Sequence, residues 1–120
     1  LSALLDDPSP RVREAAAYAI GAGDKRSARA ALERMLTQRG AAEAAMAAWA
    51  LAEEQDPASL PPLQQALRHD DPRVRRSAAY ALGEIADLRA LSALSAAVRD
   101  PDAEVRYAAV AAIGELDGLE

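Results

Sequence analysis

Asp71-Pro72-Arg73-Val74-Arg75-Arg76-Ser77-Ala78-Ala79-Tyr80-Ala81-Leu82-Gly83 opens on a helix-capping pair and closes an alanine-rich apolar run with an aliphatic residue and glycine. Steps of 31 residues from Leu82-Gly83 find the same closure at Ile20-Gly21, Leu51-Ala52 and Ile113-Gly114. Val12, Val74 and Val105 stand eight residues before the closing aliphatic, each followed by arginine: Arg13, Arg75 and Arg106. Two further series keep the step, Leu1, Leu32, Leu63, Leu94 and Leu5, Leu36, Leu67, Val98, so every unit has two apolar segments. A fixed period of this size marks a solenoid, in which each unit buries its apolar face against its neighbours.

The segments read as helices. Half of the 120 residues are hydrophobic, yet Phe is absent and alanine dominates, which favours helix over strand. At 100 degrees per residue, Val12, Ala16, Ala19 and Ile20 share one side and Arg11, Glu14 and Tyr18 the other. In the second segment Ala28, Leu32, Met35 and Leu36 point inward. The expected fold is an all-α solenoid of antiparallel helix pairs. It comprises the end of a truncated repeat at 1–6, repeats at 7–37, 38–68 and 69–99, and the first helix of a further repeat at 100–120.

Start and stop signals agree with this register. Ser9-Pro10 and Asp71-Pro72 place a capping side chain before a proline at the first helical position, and Asp102 can cap the fourth first helix. Gly21, Gly83 and Gly114 are expected either to supply a left-handed residue at the helix end or to admit a neighbouring helix closely. Pro61 and Pro62 require a helix that starts near Ser59 or Leu60, with Asp56-Pro57 left in the preceding turn. Arginines crowd the starts of first helices and Glu53, Glu54, Glu84 and Glu115 their ends, against each helix's own dipole. Arg13, Arg75 and Arg106 are therefore expected to serve the carbonyl-rich end of the preceding second helix, with a gap at Ala44.

The runs DPSPRVREAAAYAIG, DPRVRRSAAYALGEIAD and DPDAEVRYAAVAAIGELD, with the leucine-rich LRALSALSAAV, resemble the short HEAT-like repeats also called phycobilisome-lyase-type HEAT repeats. The second unit, RGAAEAAMAAWALAEEQD, departs from the pattern and keeps only the spacing. The resemblance implies a right-handed stack with first helices outside and second helices lining a concave surface that contacts a partner. On that basis the candidate contact residues are Arg26, Arg34, Gln64, Gln65, Arg68, Ser92, Ser95 and Arg99. Four arginines there against Asp6 and Glu33 lead to the expectation of an acidic protein or peptide partner, with a merely solvated face as the alternative.

Tyr18, Trp49 and Tyr80 share one column of the repeat, and Tyr107 lies at another outward position. They either cover the alanine surface of a neighbouring helix or form a second partner-binding stripe on the outer face.

Catalysis has little support. The single histidine, His69, stands in an inter-repeat loop beside Asp70 and Asp71, and there is no cysteine, so neither a transition-metal centre nor a thiol nucleophile is expected. No cofactor is expected. Nor is a nucleic-acid or membrane partner, because the formal charge is -5 and the apolar runs are far short of a span. The function expected is a non-catalytic, cytoplasmic protein-binding scaffold. The alternative is part of a bilin lyase subunit or of a larger enzyme, which bilin binding and a visible absorbance change would distinguish. Val105, Ala109, Ile113 and Leu116 lack a following helix, which suggests a fragment of a longer array or ends that self-associate.

Overall fold

The computed structural model describes residues 25–38 and 40–117. Expectations that concern Tyr18, Ser9, Arg13, Gly21 and the first turns of the chain lie outside the described residues. The described part is an α-solenoid with no strand: α1 Lys25–Gln38, α2 Ala41–Glu54, α3 Leu60–Ala66, α4 Pro72–Ile85, α5 Leu91–Ala97 and α6 Ala103–Asp117. Single 3-10 turns, Pro57–Ser59 and Leu88–Ala90, lead into α3 and α5. Here α2, α4 and α6 are first helices, while α1, α3 and α5 are second helices.

Aspartate starts α4, α6 and the two 3-10 turns, whereas α2 begins after Gly40 with no side-chain cap. Asp71 accepts the Arg73 N–H at 2.8 Å with Pro72 in the first turn of α4, and Asp102 accepts the Glu104 N–H at 2.8 Å at the head of α6. Asp56 and Asp87 cap the two 3-10 turns, each at 2.9 Å. Helix α3 begins at Leu60, so Pro61 and Pro62 fall in its first turn, where no intrahelical donor is lost. Asp71 and Asp87 also pair with Arg73 and Arg89, two residues on, at 3.0 and 2.8 Å. The guanidinium bond first, and the capping N–H next, hold both carboxyls down at about 2.

The first helices pack against one another along their length, α2 on α4 and α4 on α6. Each second helix packs on the first helix that follows it, α1 on α2, α3 on α4 and α5 on α6. The closely packed pairs thus straddle the loop that leads into each first helix. A core of small and aliphatic side chains runs between the layers, including Leu32, Leu36, Leu51, Leu63, Leu82 and Leu94.

Gly83 resolves its two expected roles. Left-handed backbone occurs instead at the helix C-caps Gln55 (φ 54°) and Ala86 (φ 55°), and no described glycine has positive φ. A Cβ on Gly83 would lie 2.9 Å from both Cα and Cβ of Ala112 on α6, so the glycine serves close helix approach. Gly114 has open space at the equivalent position.

The arginine ladder reaches back into the preceding turns. Arg75 donates from Nη1 to the carbonyls of His69 (2.7 Å) and Asp70 (2.9 Å), and from Nε to Asp100 at 2.8 Å. Arg106 donates to the carbonyls of Asp100 (2.8 Å) and Pro101 (3.0 Å). The acceptors lie in the turn three to four residues beyond Ala66 and Ala97, the last residues of α3 and α5, so the arginines hold the turn and not the helix-end carbonyls that their position suggested. Burial pushes the Asp100 carboxyl up, but bonds from Arg75 and the Asp102 N–H, with the charges of Arg75 and Arg106, carry it below its ordinary value. In the degenerate unit Ala44 interrupts the ladder, and Arg29 ties the repeats instead through Asp56 at 2.6 Å.

Three of the four residues expected to lie uncovered on α6 are in fact buried: Val105, Ala109 and Leu116, with Ile113 partly buried. The helix turns them back toward α5 and α4, so the apolar face proposed for self-association is largely covered.

Two substitutions test this packing. Gly83→Ala should destabilise by about 1–3 kcal/mol through overpacking, although alanine is the better helix former, whereas Gly114→Ala should gain up to about 1 kcal/mol; urea unfolding measures both. Arg75→Ala, which strands a mostly buried Asp100, should cost on the order of 3 kcal/mol. Because Asp71, Asp87 and Asp100 have folded pKa values lowered from the ordinary 3.8, their stabilisation is present above that value and is lost as pH falls through the folded values, which lie at about 2 for Asp71 and Asp87. Thermal melts should decline across that acid window, and Asp100→Asn should flatten part of the decline.

Candidate interaction groove

The outward positions of a first helix, exposed except for the half-buried Ala45 and Glu84, recur at i, i+4 and i+8, and in this stack they face the same way on adjacent helices. On α2 they are Ala45, Trp49 and Glu53, on α4 Arg76, Tyr80 and Glu84, and on α6 Tyr107, Ala111 and Glu115. Between α4 and α6 these positions enclose a hollow of about 330 Å³ with mostly carbon walls. Trp49, Tyr80 and Tyr107 line it together with Ala108, Ala111 and Ala112. Glu84, Glu104 and Glu115 rim it against one cation, Arg76. A neighbouring hollow of about 310 Å³ between α2 and α4 shares Trp49, Tyr80 and Glu84 and adds Glu53.

The aromatic column is therefore neither buried nor spread over alanine alone. Trp49 and Tyr80 stack on each other, with ring centroids 4.3 Å apart and planes tilted by 34°. Such a pair adds roughly 1 kcal/mol beyond its buried area. Both rings stay substantially exposed, at 46% and 38%, and Tyr107 reaches 75%, which is unusual for a large ring with no solubilising charge. Partial burial, then the charges of Glu84 and Glu53, push the Tyr80 phenol above its ordinary 10.0.

The second-helix residues are arranged differently. Gln65, Arg68, Ser92, Ser95 and Arg99 are exposed, as is Arg34, while Gln64 is half-buried and donates to the Arg89 carbonyl at 3.2 Å. Arg26 lies in α1, with its side chain outside the described residues. Gln65 and Arg68 line a polar, open depression beside His69 and Asp70. His69 itself accepts the Asp71 N–H on Nδ1 at 3.0 Å, a turn-forming contact. Among the described residues no group of three or more His, Cys, Asp or Glu is placed to hold a metal ion, and no helix is long and apolar enough to cross a membrane.

Sequence reasoning found the aromatic positions but missed Glu84 and Glu115 as part of the same surface. Their signal was the i, i+4 step from Tyr80 to Glu84 and from Ala111 to Glu115.

A family model for HEAT repeats matches residues 41–114, and a HEAT repeat model matches residues 1–22. The chain belongs to the HEAT-repeat family. Its stack is similar to human deoxyhypusine hydroxylase in complex with glycerol, at 32% identity and a TM-score of 0.87, over 97% of this chain and 41% of that one. A designed armadillo repeat protein in complex with the peptide (KR)4 follows the HEAT array at 24% identity and a TM-score of 0.74, covering 96% of this chain and 62% of that one. The CpcE–CpcF complex of phycocyanin lyase from Nostoc sp. PCC7120 matches at 20% identity and a TM-score of 0.65, covering 98% of this chain and 64% of that one. The array therefore spans less than half of the hydroxylase and under two thirds of the other two. No curated protein matches it.

The groove's electrostatics can be read from Tyr80. Raising pH should quench Trp49 emission as the stacked phenol ionises, with a midpoint above 10.0. Glu84→Gln should move that midpoint downward, toward 10.0, in a fluorescence titration.

Proposed function

We propose that this HEAT array is a non-catalytic scaffold that binds a segment of a protein partner across the groove of its first helices. The observation that carries the reading is the hollow with Trp49, Tyr80 and Tyr107 at its walls. Exposed, pre-stacked aromatic rings give contact area at little cost in ordering, which is what interface anchors require. Two of the similar stacks are described with protein or peptide partners, (KR)4 in one and a lyase complex of two chains in the other. Among the described residues, Gln65 and Arg68 of the second-helix layer line a polar depression that holds no aromatic ring, so the first-helix face is the better-supported site.

The hydroxylase similarity supports a second reading, that the array is part of an enzyme. The non-catalytic reading is favoured because the described aspartates at 56, 71, 87, 100 and 102 are committed to caps and arginine pairs, and His69 to its turn.

An unbiased displayed peptide library selected on the whole chain tests the proposal. Recovered binders should lose about 2 kcal/mol or more of affinity on Tyr107→Ala, and also on Trp49→Ala, while tolerating Arg34→Glu with Arg68→Glu. The opposite pattern would move the site to the second helices, and binders indifferent to both sets would remove the groove.

A further inference from the structure

The groove combines aromatic walls with an excess of negative charge, and this combination selects among protein segments. Glu84, Glu104 and Glu115 line one hollow and Glu53 the next, while Arg76 is the single cation lining the first among the described residues. Arg73, also on α4, is bound to Asp71. We propose that the occupant is an extended basic peptide segment whose arginine side chains lie against Trp49, Tyr80 and Tyr107 and pair with these glutamates. This deepens the scaffold reading and rests on it.

Three physical arguments lead to arginine in an extended chain. A guanidinium is weakly hydrated and planar, so it stacks on an aromatic face and reaches a carboxylate bidentately, whereas an ammonium is held as a point charge. Glu53, Glu84 and Glu115 recur once per repeat, so the negative charge is distributed across three helices. Helices pack about 8–10 Å apart, which places the outer two on the order of 16–20 Å from each other, a span that about six residues of extended chain cover. A small cation would fill one position only. A phosphate backbone or an acidic segment would meet repulsion along the whole groove.

The probe is a set of labelled six-residue peptides, alternating alanine with arginine, lysine or glutamate, titrated against the whole chain by anisotropy and by the emission of Trp49, the chain's one tryptophan. The arginine peptide should bind tightest, change Trp49 emission and weaken as salt rises. Glu84→Gln with Glu115→Gln should weaken it at least tenfold, and so should Tyr107→Ala. Asp70→Asn with Asp117→Asn, which removes two exposed charges outside the groove, should leave affinity within about twofold. An equal loss in that control would overturn groove binding in favour of diffuse attraction. Spermidine competing as well as the peptide at equal concentration would overturn the extended-peptide occupant. Preferred binding of the glutamate peptide would overturn the charge assignment. Library binders that carry no basic residues yet lose affinity on Tyr107→Ala would sink this inference while leaving the scaffold reading intact.

Discussion

The contact on which the rest of this structure depends is the close approach of consecutive first helices. At Gly83 the backbone of α4 comes so near Ala112 of α6 that a single methyl would fall 2.9 Å from two of its carbons. Helices can sit this near only if the facing side chains are small, and the first helices meet this condition with alanine at most inward positions, including Ala47, Ala48, Ala78, Ala79 and Ala109, all fully buried. Small contacts forgo the burial that leucine would supply, so the second layer restores it with Leu32, Leu63 and Leu94.

This constraint also explains the groove. A large ring cannot enter a layer built for glycine and alanine, so the aromatics stand on the open side of the same helices. Close helix spacing then brings the rings of neighbouring repeats within stacking distance, as Trp49 and Tyr80 show. The packing requirement and the candidate binding surface are two sides of one layer. Where first helices touch one another only small side chains fit, and the side away from the second helices carries the rings together with the glutamates.

The turns between repeats solve a different problem: the N–H groups of Leu67, Arg68 and His69 return to the last carbonyls of α3, and those of Val98, Arg99 and Asp100 to the last carbonyls of α5, which leaves the carbonyls of the turn itself to be bound. Arginines at the heads of α4 and α6 reach back to those turns, and Arg75 does so while mostly buried beside Asp100. Each repeat is thereby joined to its neighbour by charge-assisted bonds as well as by packing. Where Ala44 removes the arginine, Arg29 with Asp56, and Glu33 with Ser59, supply a substitute link from the other side.

The sequence by itself determined the period, the helical class, the caps at Asp71 and Asp102, the start of α3 before its two prolines and the backward direction, though not the acceptors, of the arginine ladder. All of these are properties of local chemistry repeated at fixed spacing, which a linear chain records directly. It did not reveal that Gly83 is needed for contact while Gln55 and Ala86 take the left-handed turns, because a glycine's two uses look alike until a neighbour is in place. Nor did it show that Val105 and Leu116 are covered, or that Glu84 and Glu115 join the aromatics in one groove. A repeat identifies equivalent positions but carries no distances between helices. Only the tertiary structure, by setting how closely the first helices approach, decided which equivalent residues meet.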